Sequence, residues 1–306
     1  MSDTVTKAPE RLAEPIRAED LPHPMEKWLR MDRIPHIWCP TCGLGTVVTA
    51  LVEGIKEAQI EPDRLAVVSG IGCTGRVAGY MKFDSFHTTH GRALPFATGL
   101  RLSNPKMKVV VVSGDGDIFG IGGNHFIHAA RRNMDLTVIC VNNFIYAMTG
   151  GQVAPTTPGP ANTSTTPFGA FEPPFNLPYL AESCGAVYVA RWTSLDVRRM
   201  SHSIAKALLK PGFSLVEIIA PCSTLYARRN RLGSGLDLLK FYQQNAIIQN
   251  GAKTADVGID FQRPFIVGEF VDAERPTWEE LMRKQMKSVL GEKFIPHEGG
   301  ECSSCE

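Results

Sequence analysis

The chain has 306 residues, 43% of them hydrophobic, which is enough for one large domain around a sizeable core. Thirty-two basic residues against thirty-one acidic ones leave a formal charge of +1, so composition gives no electrostatic case for nucleic acid or an anionic membrane. No apolar run approaches the roughly 20 residues of a membrane span, and the first thirty residues lack a signal-peptide core, so a cytoplasmic protein handling small molecules and partner proteins is expected.

Residues 1–35 are rich in charge and proline and lack periodicity, which predicts an arm on the surface with no core element of its own. From Thr46 the apolar positions Val47, Val48, Leu51, Val52, Ile55 and Ala58 recur at helical spacing, predicting an amphipathic helix over 45–59 that begins just after "CPTC". Five runs rich in β-branched residues follow, at 65–70, 108–114, 136–142, 186–191 and 214–220, separated by helix-sized intervals. Continuous Val and Ile runs, in place of alternation, mark strands covered on both faces. The fold class is therefore α/β, a doubly wound and mostly parallel sheet.

Between the last two runs, Val197, Met200, Ile204, Ala207 and Leu208 form a helical stripe, with Ser194 as the expected N-cap and Lys210–Gly212 as the stop. Residues 149–178 hold seven prolines and four glycines, which forbids a long helix or an inner strand. Phe168, Phe171 and Phe175 within that stretch predict a loop packed against the protein. The chain divides into the arm at 1–35, a main domain at 36–225 and a C-terminal extension at 226–306 packed on the same domain. That extension includes a basic stretch after Cys222, a helix near 236–249, a capping box from Thr277 to Glu280 ahead of Trp278, Leu281, Met282 and Met286, and a mobile tail.

Two of the strands end in chemistry. Asp115 lies in the Gly114-Asp115-Gly116-Asp117 turn after the strand at 108–114, and Asn142 and Asn143 end the strand at 136–142. Ligands of open α/β sheets bind at the carboxyl ends of the strands, so one crossover through a helix near 122–133 brings Asp115 and an asparagine to the same rim. Gly114 and Gly116 let the backbone approach a ligand closely. A carboxylate with a side-chain carbonyl suits magnesium, which prefers oxygen ligands and usually arrives with phosphate.

Of the eight cysteines, Cys39, Cys42, Cys73 and Cys222 form a set. Cys73 and Cys222 each follow a predicted strand and so fall at the same sheet edge as Asp115. Four thiolates suit structural zinc or a four-iron cluster, and one close pair joined by two distant singles beside a pocket favours the redox cluster. Cys140 and Cys184 fall in or beside apolar runs as small core residues. Cys302 and Cys305 belong to the expected mobile tail.

The motifs "WCPTCGLG", "SGIGCTGR", "HTTHGRALPFATG", "GDGD", "NNFIYAMTGGQ" and the late "PC", in this order over residues 36–225, resemble the β subunits of 2-oxoacid:ferredoxin oxidoreductases, which are thiamine diphosphate enzymes. The resemblance implies the thiamine diphosphate-binding form of the doubly wound fold. It implies magnesium on the diphosphate, held by Asp115, Asn143 and the Ile145 carbonyl, and a 4Fe-4S cluster on Cys39, Cys42, Cys73 and Cys222. Gly72, Cys73, Gly114, Asp115, Gly116, Asp117, Asn143, Ile145, Thr149 and Gly150 become the expected cofactor-binding residues, with His90, Arg92 and Gln152 on the catalytic side.

The implied reaction is oxidative decarboxylation of a 2-oxoacid to its acyl-coenzyme A, with electrons leaving through the cluster to ferredoxin. 2-Oxoglutarate is favoured, and pyruvate or a branched-chain 2-oxoacid is the alternative. The activating glutamate is expected on a separate α subunit, in an αβ or (αβ)2 assembly. Two readings of other classes are a non-redox thiamine decarboxylase or synthase, which has no use for four gathered cysteines, and a zinc-stabilised regulatory subunit, which has no need of Asp115 and Asn143. The pairs His87/His90 and His125/His128, at three-residue spacing, are read as hydrogen-bonding histidines and not as metal ligands.

Overall fold

A computed structural model describes residues 23–299; Cys302, Cys305 and most of the expected arm lie outside them. In chain order the helices and strands are α1 (Leu44–Glu57), β1 (Leu65–Ser69), α2 (Val77–Tyr80), β2 (Asp84–His87), α3 (Ala93–Ser103), β3 (Lys108–Gly114) and α4 (Gly123–Arg131). They continue with β4 (Leu136–Asn142), β5 (Ile145–Tyr146), β6 (Gln152–Val153), α5 (Leu177–Ser183), β7 (Tyr188–Thr193), α6 (Val197–Leu209) and β8 (Phe213–Ile219). The chain finishes with α7 (Gly235–Asn245), β9 (Ala246–Ile248), β10 (Phe265–Asp272) and α8 (Trp278–Leu290).

Eight strands form one sheet in the order β2-β1-β3-β4-β8-β7-β10-β9. Every pair from β2 through to β7 is parallel, and β10 runs antiparallel to β7. All five predicted strands are present. β2, β9 and β10 give no continuous apolar run: β2 has neither Val nor Ile, β9 is three residues long, and β10 is broken by Gly268 and Glu269. β10 attaches the segment after residue 226 to the main sheet.

Both faces of the sheet are covered, as its continuous apolar strands require. On one face Val67, Val110, Val112, Ile139 and Val216 pack with Leu51 and Ile55 of α1 and Ile204 of α6. On the other, Val68, Val109, Val111, Val138 and Leu215 pack with Ala97 of α3, Phe126 of α4 and Leu177 of α5. Cys140 is a fully buried member of this second face, as its apolar run predicts. No helix among the described residues is long and apolar enough to cross a membrane.

Several expectations change on contact with the packing. The arm donates Trp28 and Leu29 to the core, 7% and 6% exposed, because Arg30 N–H bonds to the Tyr80 carbonyl at 2.8 Å and draws the segment onto the domain. Ser194 does not cap α6. Asp196 occupies that position, its carboxylate taking the Thr193 hydroxyl at 2.7 Å, while Ser194 fits against Gly43 at the start of α1. Phe168 and Phe171 point outward, at 100% and 85% exposure, and the proline-rich loop is held instead by buried Thr156, Thr157, Thr163 and Ala161. Short side chains permit close backbone approach, and the threonine hydroxyls satisfy polar atoms there. The capping box at Thr277 and Glu280 is present, yet the stripe that follows is largely exposed, with Leu281 at 51% and Met286 at 41%.

One buried ion pair sits inside this sheet. Arg191 Nε on β7 lies 2.7 Å from Glu217 Oε2 on β8, both essentially without solvent contact. Glu217 Oε1 accepts from the Asn142 amide at 2.8 Å, so the end of β4 is pinned from the core. Removing one partner strands a charge, and Glu217→Ala is expected to lower unfolding stability by about 3–5 kcal/mol. Urea denaturation checks this, with the Arg191→Met, Glu217→Leu double variant expected to lose markedly less.

Candidate functional site

The carboxyl ends of β1, β3, β4 and β8 meet at one rim, where two adjoining cavities share Cys73, Asn143, Ala147 and Met148. The inner cavity is formed around the turn after β3. Asp115 is 2% exposed. Burial pushes its pKa up to about 7, against hydrogen bonds from the Thr156 hydroxyl and the amides of Gly116 and Asn143. A desolvated carboxylate of this kind gains much from a bound cation, which replaces the proton it would otherwise take.

The two asparagines at the end of β4 divide their work. Asn142 turns into the core, donating to Glu217 and accepting the Phe144 amide at 3.1 Å. Asn143 lines the cavity, its side-chain oxygen taking the Ile145 amide at 3.3 Å in a tight turn. Phe144 between them has a positive φ of 68° and is 5% exposed, so the turn is held by packing against a backbone preference. Gly116 is required sterically. The Tyr146 ring lies where its Cβ would be, and the Tyr146 hydroxyl donates to the Gly116 carbonyl at 3.0 Å.

Asp117 lines the inner cavity with its oxygens taken up by the chain itself. Its carboxylate takes the Ser113 hydroxyl at 2.8 Å and the amides of Ile71 at 3.1 Å and Gly91 at 2.8 Å. His90 Nδ1 stands 2.6 Å from the same carboxylate, a close electrostatic contact that lacks hydrogen-bond alignment. Asp117 therefore sets the loops after β1 and before α3 around the cavity.

Of the expected residues, Gly72, Cys73, His90, Gly114, Asp115, Gly116, Asp117, Asn143, Ile145 and Thr149 all line the inner cavity. Arg92, Gln152 and Gly150 do not. Arg92 turns aside to the His125 ring, because its position at the start of α3 faces α4. The Gln152 amide bonds to the Thr149 carbonyl at 2.8 Å, which closes the short β5–β6 hairpin. Thr156 and Tyr146 escape sequence reasoning: Thr156 sits 41 residues from Asp115 in an aperiodic loop, and nothing in the chain order pairs them.

The outer cavity is lined by Cys39, Cys42, Cys73 and Cys222, with Trp38, Val141, Met148 and Leu225 as apolar walls. Burial raises the thiol pKa values of Cys42, Cys73 and Cys222, that of Cys73 to about 11, and the neighbouring thiolates raise them further. Four thiols that repel one another's charge form a site whose thiolates need a cation. The Trp38 indole donates to the Cys73 carbonyl at 2.8 Å and fixes that corner. Among the described residues no three His, Cys, Asp or Glu side chains converge as a single-ion site would.

Residues 70–218, from the end of β1 to β8, match the family described as thiamine pyrophosphate enzyme, C-terminal TPP binding domain. The chain is 49% identical, over 83% of its length and 89% of the relative's, to 2-oxoglutarate synthase subunit KorB of Methanothermobacter marburgensis. It is 46% identical to the KorB subunit of Methanocaldococcus jannaschii, over 88% of this chain and all of that one. Among solved structures it resembles a chain of the 2-oxoglutarate:ferredoxin oxidoreductase from Magnetococcus marinus with 2-oxoglutarate, coenzyme A and succinyl-CoA bound, at a TM-score of 0.77 and 27% identity. That likeness covers 93% of this chain and 94% of the other. The fold and relatives matched over most of their length agree, and the chain belongs to the KorB family of 2-oxoacid:ferredoxin oxidoreductase β subunits, built on a thiamine pyrophosphate-binding domain.

Proposed function

We propose that this chain is the β subunit of a 2-oxoglutarate:ferredoxin oxidoreductase, carrying thiamine diphosphate in the inner cavity and a 4Fe-4S cluster in the outer one. The observation that carries the reading is the shared wall of the two cavities, formed by Cys73, Asn143, Ala147 and Met148. When bound, thiamine diphosphate supplies the electron sink for cleaving the bond between carbonyl and carboxylate, and the cluster removes the electrons one at a time.

The residues present fit both groups. Asp115 and the side-chain carbonyl of Asn143, with the Ile145 carbonyl, offer a hard-oxygen set for the magnesium that accompanies a diphosphate. Thr156 orients Asp115 from behind. Gly72, with a positive φ of 101° and open space where a Cβ would point, leaves its backbone free to meet the diphosphate. For the cluster, a four-iron cube holds its thiolates farther apart than a tetrahedral zinc ion does. Four cysteines lining one apolar-walled cavity beside a cofactor pocket suit the cube.

His90, propped on Asp117, is in position to hold or give a proton at Nε2 on the substrate side. No glutamate, arginine or lysine lines the inner cavity among the described residues. The family resemblance implies that the activating glutamate lies on an α subunit, in an αβ or (αβ)2 assembly, and the cation for the distal carboxylate of 2-oxoglutarate is proposed to come from the same subunit. Coenzyme A accepts the acyl group and ferredoxin the electrons. The relatives named 2-oxoglutarate synthase support this substrate over pyruvate or a branched-chain 2-oxoacid.

The αβ enzyme purified without oxygen is expected to contain iron, sulfide and thiamine diphosphate, with a broad visible absorbance that bleaches on reduction; zinc in place of iron would sink the reading. Cys222→Ala is expected to lose iron and keep thiamine, whereas Asp115→Asn is expected to lose thiamine and keep iron, both measured by metal and cofactor analysis. Thr156→Val, which removes only the support behind Asp115, is expected to weaken magnesium-dependent thiamine binding by about 10–100-fold in equilibrium titration.

A further inference from the structure

The cysteine cavity opens to the surface at one corner. Cys39 is exposed, while Cys42, Cys73 and Cys222 are half-buried. Beside it Ile37 is 64% exposed, an apolar spot two residues from the thiol. The segment that leaves Cys222 returns to this corner. The Ser223 hydroxyl donates to the Pro40 carbonyl at 3.3 Å, and a Cβ on Gly235, the first residue of α7, would fall 1.8 Å from the Thr41 hydroxyl. Both ends of the span 223–235 thus press on the Cys39–Cys42 loop.

Between those two anchors the chain carries Arg228, Arg229 and Arg231 and no acidic residue. All three are exposed, and none has an ion-pair partner among the described residues. Of the three guanidinium groups only that of Arg229 makes a hydrogen bond among the described residues, a long one of 3.5 Å to the Gly150 carbonyl. Asp237, the nearest acid along the chain, is engaged as the N-terminal box of α7, where it takes the Ser234 amide and hydroxyl at 2.7 Å. In a chain whose total charge is +1, three exposed arginines on a span whose two ends touch the Cys39–Cys42 loop make a positive rim beside the exposed thiol.

We propose that this rim is the docking surface for an acidic one-electron carrier protein, ferredoxin in the enzymes to which this chain is related, with Cys39 and Ile37 at its centre. The proposal rests on the cluster reading above. A small apolar contact with a charged border suits a brief encounter, because weak redox complexes bury little area and depend on charge for their association rate. One electron passes from the reduced cluster to one carrier, with no bond made or broken. The two electrons released per 2-oxoacid oxidised reduce two carriers in succession.

The test uses the assembled αβ holoenzyme with Arg228→Glu and Arg231→Glu together, neither residue touching either cavity. Binding of a purified acidic ferredoxin, measured by anaerobic calorimetry at low salt, is expected to weaken about tenfold or more and to lose much of its salt dependence. Iron content, thiamine content and the rate with methyl viologen as acceptor are expected to stay at wild-type levels. Arg228→Gln with Arg231→Gln should show a smaller loss in the same direction, and it carries the test where charge reversal prevents assembly. Unchanged carrier affinity in both variants, with iron present, overturns the docking surface alone. A loss of affinity that appears only together with loss of iron also overturns it, by making the arginines structural. Wild-type enzyme without iron and sulfide overturns the cluster reading and this proposal with it.

Discussion

The site depends on one buried carboxylate that gathers the loops around it. Asp117 draws the Ser113 hydroxyl, the amides of Ile71 and Gly91 and the edge of His90 onto two oxygens that are 2% exposed. A carboxylate removed from water must be satisfied by such donors, and here they come from three separate stretches of chain. Those stretches are the end of β3, the loop after β1 that carries Gly72 and Cys73, and the loop before α3 that carries His90. Their mutual position follows from satisfying one charge. Gly70 has no freedom in this arrangement, since a Cβ there would overlap Asp117 itself.

A second polar network acts from below. Arg191, Glu217 and Asn142 cross three neighbouring strands and fix the end of β4, so that the next residue, Asn143, turns toward the cavity. Thr156 acts from above on Asp115, out of a loop that has no regular structure of its own. The clamp therefore has few freely moving parts: each ligand candidate is oriented by a side chain behind it. Such support is what a site needs to hold a highly charged cofactor in one geometry.

The juxtaposition of the two cavities follows from parallel topology. In a parallel sheet every strand delivers its carboxyl end to the same edge, so β1 brings Cys73, β3 Asp115, β4 Asn143 and β8 Cys222. The Cys39–Cys42 loop reaches the edge from outside the sheet, held by the start of α1 and by Trp38 on Cys73. The two cavities become neighbours with no element devoted to joining them.

Much of this was legible in the chain. The Val and Ile runs determined five strands and their burial on both faces, because only a doubly covered strand tolerates continuous apolar character. Gly114 to Asp117 and Asn143, placed at strand ends, determined the cofactor rim, and the cysteine spacing determined which four thiols would meet. The tertiary structure decided what depends on contacts between distant residues. It withdrew Arg92 and Gln152 from the cavity, tied Asp117 to three separate stretches of chain, recruited Thr156, and turned Phe168 and Phe171 outward. Periodicity and motif spacing record only what neighbours along the chain share. A hydrogen bond across 41 residues, like that of Thr156 to Asp115, leaves no mark until the sheet has brought its ends together.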